Sequence, residues 1–574
     1  MKTISPDHRG RRAHSHPPAL RLRTVAAQRR TALLWTLAIA FVLVSLYVLG
    51  VRTLVPPDEG RYAEMAREMF ASGDWITTRL NGIKYFEKPP LQTWMTALAF
   101  TVFGLGEWQA RLWAGLCGLL GVGLTGLAGW RLYGGRVGLY GALALGSCFY
   151  WVACSQINSL DMGLSGMMTL ALCGLLLAQR DDATPRERRN WMLACWAGMA
   201  LAVLSKGLIG IVLPGGVLVL YTLAARDWTL WRRLELLRGP LLFACIAVPW
   251  FVLVGLRNPE QPHFFFVHEH FDRFLLKEHH REAAWWIFLA LLAAGSIPWL
   301  GVLVQSLCAA RKREAGRFQP RLLLLIWVVF IIAFFSKSSS KLPGYILPVF
   351  PAVALLVGHY LAGAGRRMLV ANAALVWGLG VGLMALVPFA TRFSKRAGEL
   401  ALYEAYQPWL LGAGIAALAG GTLALYWAAN LRRDRAVIAI ALAGFLATQL
   451  LLAGFEPIGQ VRAGVNLLPA LQANAGPATR IYSVGIYEQS LTFYLQRPVV
   501  LVDYRDEFDF GLQQQPELAL PTVADFVRQW RADTEEGRSA LAIVHNDDLV
   551  RLQRQGVALR VVGADERRSV IANR

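Results

Sequence analysis

Residues 31–51 read TALLWTLAIAFVLVSLYVLGV, and residues 52–62 read RTLVPPDEGRY. The first run is uncharged and predominantly apolar and near the ~20 residues a helix needs to cross a bilayer, so the second meets water directly beyond it. A run of this length exceeds a cleaved signal h-region and is read as an uncleaved anchor behind a basic tail, residues 1–30. Working outward, about thirteen separable apolar stretches of comparable length follow one another as far as residue 455. Hydrophobic residues make up 55% of the 574 and charged residues only 17%, a balance that fits a polytopic α-helical membrane protein.

The net charge of +20 raises nucleic acid as a partner. The arginines lie between spans, however, and not along one aromatic-studded face, so topology and anionic membrane lipid account for them and no nucleic acid is expected. With the amino terminus in the cytoplasm, the basic clusters at 131–136, 180–189, 226–238, 311–317, 366–367 and 432–435 all fall on cytoplasmic loops. That pattern requires the short apolar piece 91–104 to lie in the interface or re-enter, since a crossing there would move every later loop to the other side. Arg392, Lys395 and Arg396 break the pattern; late loops weigh less in orientation, and a phosphate-facing patch is the other explanation. The seven cysteines lie in or beside apolar segments without a CxxC pair, which points to neither a disulfide framework nor a cysteine metal site.

Three regions result: a cytoplasmic tail, 1–30; a transmembrane domain, 31–455, with outer loops 52–107, 257–284 and 336–344; and a soluble domain, 456–574, on the outer side. In the last, apolar β-rich runs at 481–487, 499–504, 540–545 and 559–563 alternate with helix-like stretches at 524–532 and 547–555, predicting a small α/β domain. It has no GxGxxG or P-loop, and no catalytic role is assigned to it.

Ionisable residues collect on the outer loops. Asp58 and Glu59 sit where an unpaired carboxylate is costly, which favours function, although Glu59 and Arg61 also suit a plain helix start near Gly60. In Glu87-Lys88-Pro89-Pro90 the prolines fix the backbone and present two charges at a set angle; Lys88 meets a phosphate as a compact cation or anchors the next segment by snorkelling. Asp161 opens a span, where capping alone would explain it, and Lys206 falls between two apolar stretches at the same depth. The loop 264–274 interleaves phenylalanines, ordinary at an interface, with His268, Glu269, His270, Asp272 and Arg273, which an aromatic belt does not explain. Glu87 and His268 are ordinary ligands for a divalent ion such as zinc, and a hydrogen-bonded histidine is the alternative. The turn from Ser336 through Lys341 to Pro348 is a hydroxyl- and lysine-rich cradle suited to a lipid phosphate, or a polar turn before a proline-bent helix.

Taken together, Asp58-Glu59 after the first span, Glu87-Lys88-Pro89-Pro90, the 268–274 loop and Lys341-Leu342-Pro343-Gly344-Tyr345-x-Leu347-Pro348 resemble the 4-amino-4-deoxy-L-arabinose transferases. These are GT-C glycosyltransferases related to the protein O-mannosyltransferases. The resemblance implies that Asp58 is the main catalytic carboxylate, acting with Lys88 and Asp161. It places Arg61, Tyr62, Tyr85, Lys206, Arg273 and Tyr345 around the donor phosphate, beside Lys341, and gives Glu87 and His268 to a metal. The implied reaction moves aminoarabinose from undecaprenyl phosphate to a phosphate of lipid A at the periplasmic face of the bacterial inner membrane, inverting the anomeric centre and giving resistance to polymyxin and other cationic peptides. A monomer is expected. Two rivals stand beside it: a polyprenyl-phosphate-dependent protein O-glycosyltransferase, in which Asp58 would act as general base, and a transporter of the lipid-linked sugar.

Overall fold

The computed structural model describes residues 18–267, 283–394 and 396–573. It divides into two compact units, 1–47 and 48–574. The first holds the helix Pro18–Tyr47; everything that follows concerns the second.

Among the described residues, nine helices are long and apolar enough to cross a membrane, the Thr31–Gly50 segment included, and ten if the pair Ile287–Gly295 and Leu300–Ala309, bent by 112°, counts as one span. The expected thirteen included three stretches that fail on length or composition. The stretch 135–154 is broken at Cys148, whose extended backbone separates Gly135–Ser147 from Phe149–Cys154. Ile209–Ala225 has 17 residues, and Pro185–Lys206 opens on the charged run Pro-Arg-Glu-Arg-Arg, capped by Thr184 and Glu187 in a reciprocal pair of hydrogen bonds. Leu91–Phe103, with 13 residues, is too short to span and ends where Gly104 takes a positive φ. The chain is a multi-pass membrane protein.

Two features place the ionisable loops. Helices Leu160–Gln179 and Pro185–Lys206 touch backbone to backbone, because a Cβ on Gly174 would stand 2.8 Å from the Cys195 nitrogen and one on Gly198 would stand 2.7 Å from the Ala171 nitrogen. This close packing brings the start of the first helix beside the end of the second. The helix Asp58–Ser72 then leads into a hairpin of β1 (Arg79–Leu80) and β2 (Ile83–Lys84), turned by Asn81-Gly82 with φ of 55° and 76°.

The C-terminal region is the expected α/β domain. Its sheet has the order β5-β4-β3-β6-β8-β7, built from β3 (Arg480–Val484), β4 (Val500–Val502), β5 (Ala519–Leu520), β6 (Ala540–His545), β7 (Arg560–Ala564) and β8 (Arg568–Ala572). The first four are parallel, and β8 joins β6 and β7 antiparallel. Strand β8 is fully buried and lies between β6 and the edge strand β7, yet its polar start, Arg568-Ser569, hides it from a reading by alternation. Arg568 is buried against Asp565 at 2.9 Å and Glu488 at 2.7 Å, which offsets the cost of its charge. The domain is stitched to the hairpin, since the Asn81 side chain donates to the Val499 carbonyl and accepts from the Val499 amide at 2.8 and 2.7 Å.

Candidate active site

Asp58 occupies the first turn of Asp58–Ser72, where the helix N-terminus favours a carboxylate, and its side chain is half exposed. Arg61, one turn on, donates to it at 3.2 Å through Nη1. Through Nη2 the same guanidinium donates at 3.3 Å to Glu507, a residue of the C-terminal domain. Its Nε is buried and has no hydrogen-bond partner among the described residues.

Glu59 faces the other way and is structural. It is buried and takes two hydrogen bonds from Arg111, Nε to Oε1 at 2.6 Å and Nη2 to Oε2 at 2.9 Å, besides the amides of Val55 and Asn158 at 3.0 Å each. Burial pushes its carboxyl upward, and the Arg111 and Arg52 charges outweigh that, holding it below its ordinary value. Arg111 also donates to the carbonyls of Leu49, Arg52 and Thr53. The pair therefore bolts the chain leading into Asp58 onto helix Glu107–Tyr133, and Asp58 alone of the adjacent carboxylates is left for chemistry.

Asp161, at the start of Leu160–Gln179, pairs with Lys206, at the end of Pro185–Lys206. The Lys206 ammonium also lies 5.0 Å from the centroid of the Tyr345 ring. Gly344 fits against this pair because a Cβ there would meet the Asp161 carboxylate at 2.2 Å, so the Pro343-Gly344-Tyr345 spacing is set by contact. Tyr62 and Tyr85 are buried, and burial lifts both phenols well above their ordinary range, keeping them neutral donors. Tyr62 lies within electrostatic reach of Asp58, Arg61, Glu87 and Asp161; Tyr85 lies within reach of Glu87, Arg61 and Glu507. Lys206 feels Asp58. Asp58, Arg61, Tyr62, Tyr85, Glu87, Asp161, Lys206 and Tyr345 thus form one cluster at one end of the helices. The Tyr85 hydroxyl, like Arg61 Nε, is buried without a hydrogen-bond partner among the described residues. Two such donors in one cluster suit an anionic oxygen as their acceptor.

Lys88 belongs to the edge of the cluster: its ammonium donates to the Glu87 carbonyl at 2.8 Å and lies 3.9 Å from the Glu87 carboxylate. Lys341 closes its own turn by donating to the Ser338 carbonyl at 2.8 Å. His268 and Arg273 lie outside the described residues. Among the described residues no three of His, Cys, Asp and Glu stand together as a metal site, and the group already facing Glu87 is the Lys88 ammonium. Glu507 is the participant that sequence reasoning missed. It lies 446 positions from Arg61 in a domain without a phosphate-binding motif, and only the fold brings the two together.

Comparison with known proteins relates the chain to two families and to a solved structure. The aminoarabinose transferase C-terminal domain family matches residues 467–573, and the dolichyl-phosphate-mannose-protein mannosyltransferase family matches residues 31–265. An undecaprenyl phosphate-α-4-amino-4-deoxy-L-arabinose arabinosyl transferase of Pseudomonas fluorescens is 30% identical over 566 residues, 93% of this chain and 94% of that protein. One from Erwinia tasmaniensis is 32% identical over 365 residues; that match spans 61% of this chain and 64% of the relative's length. The crystal structure of ArnT from Cupriavidus metallidurans bound to undecaprenyl phosphate superposes with a TM-score of 0.88 at 39% identity, covering 94% of this chain and 98% of that one.

Proposed function

The chain belongs to the aminoarabinose transferase family of GT-C glycosyltransferases, and on that premise we propose that it transfers 4-amino-4-deoxy-L-arabinose from undecaprenyl phosphate to a phosphate of lipid A. The site faces the periplasm, in the bacterial inner membrane. The observation that carries this reading is the cluster of Arg61, Tyr85 and Lys206 beside Asp58, with two buried donors lacking partners among the described residues. The relative's structure with undecaprenyl phosphate supports the lipid carrier.

An oxygen of the lipid A phosphate attacks the anomeric carbon as that carbon's bond to the undecaprenyl phosphate oxygen breaks. The electron pair of the broken bond leaves with the lipid phosphate, and direct displacement inverts the anomeric centre. The acceptor phosphate is already anionic near neutral pH, so Asp58 orients the reactants and stabilises positive charge developing on the sugar; it removes no proton. Arg61 Nε, the Tyr85 hydroxyl and Lys206 hold the donor phosphate, and Lys88 and Arg273 stabilise the charge that accumulates on it as it departs. Asp161 keeps the Lys206 ammonium in place.

A divalent ion such as zinc held by Glu87 and His268 is a separate part of the proposal, through which no step is routed. Elemental analysis of wild type against His268→Ala tests it, equal occupancy ruling out His268 as a ligand. For the reaction, purified protein is incubated with undecaprenyl-phosphate aminoarabinose and lipid A, and the lipid A is weighed by mass spectrometry. An aminoarabinose increment is expected; its absence with authentic donor, or its appearance on a protein hydroxyl, contradicts the assignment.

A further inference from the structure

We infer that Glu507, in the C-terminal domain, is a positioning residue of the transfer site: it holds the Arg61 guanidinium in the orientation that receives the donor phosphate. The inference rests on the reading of Arg61 as a donor-phosphate contact.

Arg61 is gripped on both terminal nitrogens, by Asp58 at 3.2 Å and by Glu507 at 3.3 Å. A guanidinium is planar, so two fixed Nη contacts also fix the direction of its Nε, the buried donor that lacks a partner among the described residues. Asp58 alone could not do this. Its side chain is half exposed and lies on the same helix, whereas the Glu507 side chain is only 6% exposed. Glu507 is itself immobilised, because Oε1 accepts from Gln489 Nε2 at 2.8 Å and Oε2 accepts from the Tyr504 hydroxyl at 3.1 Å.

Each supporting residue is fixed in turn. Gln489 opens the helix Gln489–Leu495, which meets Asp58–Ser72 so closely that a Cβ on Gly60 would stand 2.3 Å from the Ser490 nitrogen. Tyr504 packs with Tyr487 and Phe508, ring centroids 6.4 and 6.3 Å away. A rigid chain of contacts therefore runs from the body of the C-terminal domain to the nitrogen that meets the donor. The domain supplies no reacting atom, yet without it Arg61 would be steered by Asp58 only and its guanidinium could rotate. Such a slackened contact to the reacting group is costly in rate because the geometry must be regained at every turnover.

The test compares donor and acceptor kinetics for Glu507→Gln, Glu507→Asp, Arg61→Ala and Asn81→Ala in the full-length protein, with undecaprenyl-phosphate aminoarabinose and lipid A as substrates and thermal unfolding as the stability readout. Glu507→Gln is expected to lower kcat/KM for the donor by about tenfold to a hundredfold with the KM for lipid A unchanged and unfolding near wild type. Glu507→Asp, which keeps the charge, recovers part of that loss. Asn81→Ala loosens the same domain elsewhere and is expected to lower the unfolding temperature without a selective effect on the donor. The inference is overturned if Glu507→Gln matches wild type for the donor, or if it behaves as Asn81→Ala does, with lower stability and no donor selectivity. Failure of the underlying reading is distinguishable, since Arg61→Ala would then leave donor kinetics intact; a strong effect of Arg61→Ala beside an inert Glu507→Gln sinks the positioning role alone.

Discussion

Asp58 and Glu59 are adjacent and chemically alike, and the fold gives them opposite duties. Glu59 is buried and saturated by Arg111, Val55 and Asn158, whereas Asp58 keeps a half-exposed carboxylate next to Arg61. Asp58→Asn and Lys88→Ala are each expected to reduce aminoarabinose transfer at least about a hundredfold, read as the mass increment on lipid A, with the protein still folded in the membrane. Glu59→Ala should fail differently: it strands a buried arginine, which costs about 3–5 kcal/mol, so a lowered unfolding temperature and a lower yield are expected before any kinetic defect. If Glu59→Ala is as stable as wild type, the bolting role is wrong. Charge at a span boundary marked Asp58, Asp161 and Lys206 in the sequence, whereas Arg61 as a donor contact, Tyr62, Tyr85 and Tyr345 were implied only by the family resemblance, and the fold brings all seven into one cluster. The sequence favoured Asp58 over Glu59 without showing what occupies Glu59, whose partner Arg111 is 52 positions away inside an apolar run, and Glu507 was not legible in it. For Lys341, read as part of a phosphate cradle, the structure adds a hydrogen bond from its ammonium to the Ser338 carbonyl.

At the scale of elements, the site depends on close approaches between helices that periodicity does not reveal. The contact of Gly60 with the Ser490 backbone admits no side chain, and Gly60→Ala is expected to push Asp58–Ser72 from Gln489–Leu495 at a cost of about 1–3 kcal/mol, seen as a lower unfolding temperature. An unchanged temperature would mean the two helices are not seated as described. The same helix carries a buried acid, Glu68, which accepts from the Gly82 amide and lies beside Glu64 and Arg67. Burial, with the Glu64 charge adding to it, pushes its carboxyl up to about 8 from an ordinary 4.5. A raised carboxyl binds its proton more tightly in the folded state, so its contribution to stability is complete below pH 4.5 and is lost as the pH rises through 8. Stability measured from pH 4.5 to 8 should decline in wild type and decline less in Glu68→Gln; identical slopes would remove Glu68 as the cause. The α/β pattern of the C-terminal domain was readable from four of its strands, while β8 was not, because its buried arginine breaks the apolar pattern.

In the whole molecule, the helical membrane part and its loops, which carry Asp58, Asp161 and Lys206, meet the C-terminal α/β domain at Asn81–Val499, Gly60–Ser490 and Arg61–Glu507. Membrane character and the α/β tail followed from composition, since apolar content on this scale has few other uses. The count of thirteen is not confirmed, since among the described residues nine or ten helices pass on length and composition, and breaks such as the one at Cys148 and the 112° bend are invisible in hydropathy alone. What the proposed function requires above all is that the whole cluster opens on the periplasmic side, where a lipid A phosphate would be met. The direct measurement is labelling of Asp58→Cys, in a variant whose seven native cysteines are replaced, with an impermeant thiol reagent applied to either face of the inner membrane. Reaction from the periplasmic face, and protection when donor lipid is added, is the predicted result; reaction only from the cytoplasmic face would contradict the placement of the site and the transfer built on it.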